Sequence, residues 1–155
     1  MTSLAPSTAF ATDGSTESVS TTENSEQSAI TVATENDLTT AINKAGSTAT
    51  TIQLGDNITL NATLTIPENA KITLDLNGHT LGISSDIDVI DNSGTLTVKN
   101  GTIAAKTNTT KGMAVDNLAG ATLTVDQDAD KTTKLIGRSG IQNYGTAVSY
   151  THLTL

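Results

Sequence analysis

From residue 30 onward, apolar and polar residues alternate in short runs: Ile58-Thr59-Leu60, Leu64-Thr65-Ile66, Ile72-Thr73-Leu74, Leu96-Thr97-Val98 and Leu123-Thr124-Val125. A period of two with β-branched residues on the polar positions predicts half-buried strands. Residues 51–54, 58–60 and 64–66 are the first of them. One stretch breaks the pattern. Leu38, Ala41, Ile42 and Ala45 follow a helical spacing, with Thr34 as N-cap, Asp37 at the capping-box position and Gly46 as terminator. A short amphipathic helix over 35–45 is unstable alone and must lie on an apolar surface.

The alternation is interrupted at Asn77-Gly78, inside KITLDLNGHTLGI. A two-residue Asn-Gly between alternating runs is a strong hairpin signal, because both residues tolerate positive φ. It also serves as a corner between two strands of one coil. An internal repeat decides between them. Aligned on Asn69, Asn92, Asn117 and Asn143, the segments ENAKITLDLNG, DNSGTLTVKNG, DNLAGATLTVD and QNYGTAV recur every 23 to 26 residues, each with a polar turn followed by a strand. Matching strands lie one repeat apart and run in the same sense, and the arms around Asn77-Gly78 are unequal. These features predict corners. The four asparagines are expected to form a turn ladder, their amides bonded up and down one edge of the coil.

The opening ITVATENDLTTAINKAGSTATTIQLGDNITL and the phrase ITLDLNGHTL resemble the secreted right-handed parallel β-helix proteins of the pectate-lyase-like superfamily, over residues 29–147. The resemblance implies an all-β chain wound as a right-handed parallel β-helix, with the 35–45 helix covering its N-terminal end. It does not imply one activity, since this scaffold carries lyases, hydrolases, adhesins and inert stalks alike.

Composition agrees with a narrow core. Aromatic residues are 2% of the 155, so the interior must be filled by Val, Ile, Leu and Ala in thin repeated layers, and the 31 threonines favour strands. The formal net charge of −8, with no basic patch, argues against a nucleic acid partner. The absence of cysteine removes disulfides, thiolate chemistry and Cys-ligated zinc, and no apolar run is long enough to span a bilayer.

Both ends read as lying outside the domain. Residues 1–11 end in Ala9-Phe10-Ala11, the small-x-small pattern of a signal-peptide cleavage site, and are expected to be the remnant of an export signal. Residues 12–28, rich in Ser, Thr and Glu, read as a disordered linker. The closing residues 148–155, VSYTHLTL, resemble the translation of a transposase sequencing adapter; the chain is then a fragment of a longer protein, and Tyr150 and His152 carry no biology.

Candidate chemistry is sparse. Asp126, Asp128 and Asp130 alternate like the start of an EF-hand loop, yet Lys131 and Gly137 stand where that loop needs Gly and Glu. A looser calcium site there, with Asp86, Asp88 and Asp91 one repeat below, is the one cofactor expectation. His79 has no readable nucleophile or carboxylate partner, and is expected to be a corner residue. No Asp-Asp pair occurs, and Arg138 is the single arginine. Four Asn-x-Thr sequons stand at Asn57, Asn61, Asn100 and Asn108. The expected function is that of a non-catalytic segment of a secreted or cell-surface, adhesin-like protein, whose partners are extracellular polysaccharide or surface glycans. The alternative is the N-terminal part of a polysaccharide lyase or glycoside hydrolase with its active site in further coils.

Overall fold

A computed structural model describes residues 28–107 and 110–150. The export-like residues 1–11, all but the last residue of the 12–28 stretch, Asn108 and His152 lie outside the described residues.

The first strand, β1 (Ile30–Val32), leads into α1 (Glu35–Ala45). Thr34 is extended, at φ −130° and ψ 158°, and its hydroxyl oxygen accepts from the Asp37 N–H at 3.1 Å while donating to the Asp37 carboxylate at 2.7 Å. Leu38, Ala41, Ile42 and Ala45 turn inward onto the first coil, and Gly46, at φ 54°, ends the helix where a side chain would be strained. The Glu35 carboxylate takes both the backbone N–H of Asn61, at 3.0 Å, and its side-chain amide, so the helix start is stapled to a corner of the coil below. A layer of aliphatic side chains that would otherwise face water is thereby covered.

Each coil then consists of three short strands. The first is β2 (Ala49–Leu54), β3 (Ile58–Leu60) and β4 (Leu64–Ile66); the second is β5 (Lys71–Asp75), β6 (Thr80–Ile83) and β7 (Ile90–Asn92). The third is β8 (Thr95–Lys99), β9 (Gly101–Ala104) and β10 (Met113–Asn117); the fourth is β11 (Thr122–Asp126), β12 (Thr133–Ile136) and β13 (Ser139–Asn143), followed by β14 (Thr146–Ser149). Strands stack into a six-stranded long sheet, β1-β2-β5-β8-β11-β14, a second sheet, β12-β9-β6-β3, and a third, β13-β10-β7-β4. Every pairing is parallel.

Asn77 and Gly78 are therefore a corner. They carry φ values of 49° and 86° and join β5 to β6, which lie in different sheets. Among the described residues the chain is a parallel β-solenoid preceded by one short helix.

Register explains the aliphatic composition. Ile52 lies under Leu74, Leu74 under Val98, and Val98 under Val125; Ile72, Leu96 and Leu123 form a second column; Leu64, Ile90, Val115 and Ile141 form a third. Successive coils are one strand spacing apart, about 4.8 Å. That leaves depth for a branched aliphatic group and little for a ring. Most of these side chains are fully buried, whereas Val125, Leu135 and Ile141 in the last coil are only partly covered. Val148 and Ser149, set apart in the sequence as adapter-like, stand in β14, paired with Thr124 and Val125.

Candidate functional site

Polar chemistry gathers at two corners and on one face. At the corner leading from the third sheet to the long sheet, Asn92, Asn117 and Asn143 end β7, β10 and β13 in register. Asn92 Nδ2 donates to Asn117 Oδ1 at 2.7 Å, and Asn117 Nδ2 donates to Asn143 Oδ1 at 2.7 Å. Each Nδ2 also reaches a carbonyl two coils on, Thr122 or Thr146, at 3.0 Å. Asn92 and Asn117 are completely buried, so the ladder satisfies amides that could not remain unpaired.

Asn69 is outside this ladder, contrary to the sequence alignment. Ile66 pairs with Asn92, while Asn69 is exposed in the 67–70 corner. That corner is two residues longer than the 93–94 corner above it, so matching asparagine to asparagine shifts the register.

The corner between the long and second sheets holds a second network. Asn100, at φ 62° and 1% exposed, donates through Nδ2 to Asp75 Oδ1 at 3.1 Å and to Asp128 Oδ2 at 2.7 Å, and its Oδ1 accepts from the Asp128 N–H at 2.8 Å. Lys99 Nζ lies 3.0 Å from Asp128 Oδ1 and 3.8 Å from Asp75 Oδ2. The hydrogen bond from Lys99, followed by that from Asn100, holds the Asp128 carboxyl below its ordinary range. Asn77 belongs to the same edge: its N–H donates to Asp75 Oδ1 at 2.9 Å and its Nδ2 to the Leu54 carbonyl at 3.3 Å. The sequon at Asn100 is closed by burial. The second Asn-Gly, one coil above Asn77-Gly78, was the available sequence signal for this network.

Asp126, Asp128 and Asp130 do not come together as a calcium site. Asp128 is committed to Lys99 and Asn100, Asp126 Oδ1 accepts from the Gln127 N–H at 2.8 Å, and Asp130 is an exposed turn residue at φ 64°. Among the described residues, the three carboxylates brought within 4.8 Å of one another are Asp88, Asp91 and Asp116. Asp91 and Asp116 are paired neighbours on β7 and β10, flanked by Thr65 on β4 and Gln142 on β13. Asp88 approaches from the loop before β7, where its Oδ1 accepts from the Met113 N–H at 2.6 Å; Asp86 is held apart, accepting from the Lys111 N–H at 3.2 Å.

Asp116 Oδ1 is buried without a hydrogen-bond partner. Burial, then the charge of Asp88, raises the Asp116 carboxyl above its ordinary range, with a hydrogen bond from Gln142 opposing. Burial, then Asp88, then Asp116, raises Asp91. Such a cluster can share a proton or hold a hard cation through oxygen. Sequence reading missed Asp116, because a lone acid in AVDN stands out only when stacked on Asp91.

The raised values have a sign. The folded chain keeps protons on Asp91 and Asp116 that the unfolded chain releases, so stability falls as pH rises from the ordinary carboxylate value of 3.8 through the raised ones. Asp116→Asn removes one charge from the cluster and should raise the Tm at pH 7 by about 2–4 °C. The gain should vanish at pH 3, where the cluster is protonated in both states. Thermal melts of the two chains across that range give the result; a lower Tm for the variant at pH 7 would contradict the assignment.

His79 is half-buried in the 76–79 corner, its N–H bonded to the Leu76 carbonyl at 2.7 Å and its carbonyl accepting from the Thr102 N–H at 3.0 Å. Arg138 and Tyr144 are exposed, and among the described residues no helix is long and apolar enough to cross a membrane. Compared with protein-family models, with curated proteins and with solved structures, the chain matches none.

Proposed function

We propose that this chain is a non-catalytic segment of a secreted or cell-surface, adhesin-like structural protein: a stiff rod that holds its corner loops toward extracellular polysaccharide or surface glycans. The observation that carries the reading is the residue-on-residue register of three parallel sheets around one aliphatic core. Bending or peeling such a rod breaks backbone bonds in three sheets together, which suits a load-bearing or protease-exposed role. The Ala9-Phe10-Ala11 pattern and the pectate-lyase-like resemblance support export.

The test is surface labelling of intact source cells with a membrane-impermeant reagent, together with incubation of the purified chain with polysaccharides. Labelling of intact cells or recovery from the medium, without release of reducing ends, is the expected result. Recovery only after lysis would overturn the reading. A second reading, the N-terminal part of a polysaccharide lyase or glycoside hydrolase, is favoured by the stacked carboxylates of Asp91 and Asp116 on successive coils. Reducing-end release that is lost in Asp116→Asn would establish it instead.

A further inference from the structure

The dipeptide Asn-Gly occurs twice, at 77–78 and at 100–101, each time at the corner between the long and second sheets and each time with its asparagine at positive φ, 49° and 62°. This dipeptide is open to attack on itself, because glycine lacks the Cβ that would hold its backbone nitrogen away from the preceding side-chain amide. The two copies share one chemistry and have opposite surroundings.

Asn100-Gly101 is locked. Asn100 is 1% exposed and both ends of its amide are held, Nδ2 by the carboxylates of Asp75 and Asp128 and Oδ1 by the Asp128 N–H. Gly101 is buried against the corner beneath it: a Cβ there would lie 2.5 Å from the Leu76 Cβ and 2.6 Å from the His79 carbonyl oxygen. The peptide plane between the two residues has no room to turn. Asn77-Gly78 is open. Both residues are exposed, and nothing lies within 4 Å of the Gly78 Cβ position. The Asn77 Nδ2 has one long bond, 3.3 Å to the Leu54 carbonyl, and its Oδ1 accepts none among the described residues. One contact restrains the attacking nitrogen, since the Gly78 N–H donates to the Asn100 carbonyl at 2.6 Å. An exposed turn releases such a bond by local opening, whereas freeing Gly101 requires two coils to part.

We propose that Asn77-Gly78 is a site of spontaneous covalent modification, converting to aspartate and isoaspartate with water as co-reactant, while the fold keeps Asn100-Gly101 inert. The Gly78 nitrogen bonds to Cγ of Asn77, the Cγ–Nδ2 bond breaks, and Nδ2 leaves as ammonia with the proton from Gly78. Water then opens the cyclic imide. Cleavage of the new N–Cγ bond leaves aspartate in an ordinary chain; cleavage of the bond from that nitrogen to the backbone carbonyl carbon of residue 77 leaves isoaspartate, with the chain running through the side chain. Either product loses the NH₂ group that reaches the Leu54 carbonyl and sets a second carboxylate beside Asp75, whose Oδ1 accepts from the Asn77 N–H at 2.9 Å. The tie from the second coil to the first is cut, and the corner gains a negative charge.

The experiment incubates the full chain in mildly alkaline buffer made with heavy-oxygen water, once folded and once in urea, and maps its peptides by mass spectrometry at intervals. In the folded chain, amide-to-acid exchange at Asn77 should run about ten times faster than at Asn100, or more. The residue 77 peptide should carry the heavy oxygen and separate into an aspartate and an isoaspartate form. In urea both sites should speed up and their rates should converge. No acid at residue 77 of the folded chain, exchange at Asn100 as fast as at Asn77, or a gap between them that persists in urea would overturn the proposal.

Discussion

Asn117→Ala should lower stability by about 3 kcal/mol and the Tm by roughly 10–15 °C. The side chain is fully buried and sits in the middle of the amide ladder, accepting from Asn92 at 2.7 Å and donating to Asn143 at 2.7 Å and to the Thr146 carbonyl at 3.0 Å. Truncation removes three short bonds and leaves polar atoms on both neighbouring coils with fewer partners, in a place water cannot reach without opening the corner. Asn143→Ala, at the exposed last step of the same ladder, should cost less than half as much. Paired denaturant or thermal melts of the two variants check the gradient. Equal losses would mean that the ladder does not act through burial.

Gly94→Ala should be at least as damaging, about 4 kcal/mol or more. The added carbon would meet two backbone carbonyls, at 2.3 Å and 2.7 Å, and neither is the end of a side chain that can swing away. The corner must move outward, which stretches the Thr95 N–H to Ala70 carbonyl bond of 2.9 Å and the Thr122 N–H to Gly94 carbonyl bond of 2.9 Å that tie the coil to its neighbours. Gly78→Ala is the informative comparison. Nothing lies within 4 Å of its Cβ position, so only its φ of 86° opposes the change. That conformation costs about 1–2 kcal/mol, and the difference in Tm between the two variants separates collision from backbone strain.

The period of the chain was legible because each coil must place the same kind of side chain over the last. Ile72, Leu96 and Leu123 announce their stacking by the identical Leu-Thr-Val or Ile-Thr-Leu context. The cap helix was legible from Thr34 to Gly46 because capping and amphipathic spacing are local. The exact register was not. The gaps between successive strands vary from the single residue Asn100 to the eight residues of 105–112, and a spacing between asparagines cannot tell a longer corner from a shifted strand. Asn69 was misplaced for that reason.

The acidic sites failed differently. Asp126, Asp128 and Asp130 looked like a metal loop when read along the chain, but Lys99, from the coil beneath, takes Asp128. Asp91 and Asp116 are separated by a full coil, and only stacking brings them together. In a solenoid, the chemical neighbours of a side chain are the residues one turn away.

The amides of Asn92 and Asn117 both donate toward the later coil, so their dipoles add along the rod instead of cancelling. The edge therefore has a direction. Whatever lies on Asn143 meets an NH₂ group that now turns back to the Gly145 carbonyl, and it must offer an oxygen there. A coil stacked on it in the same sense presents a side-chain oxygen to that NH₂ group, as Asn117 and Asn143 do for the amides below them, whereas one stacked in the opposite sense would set NH₂ against NH₂.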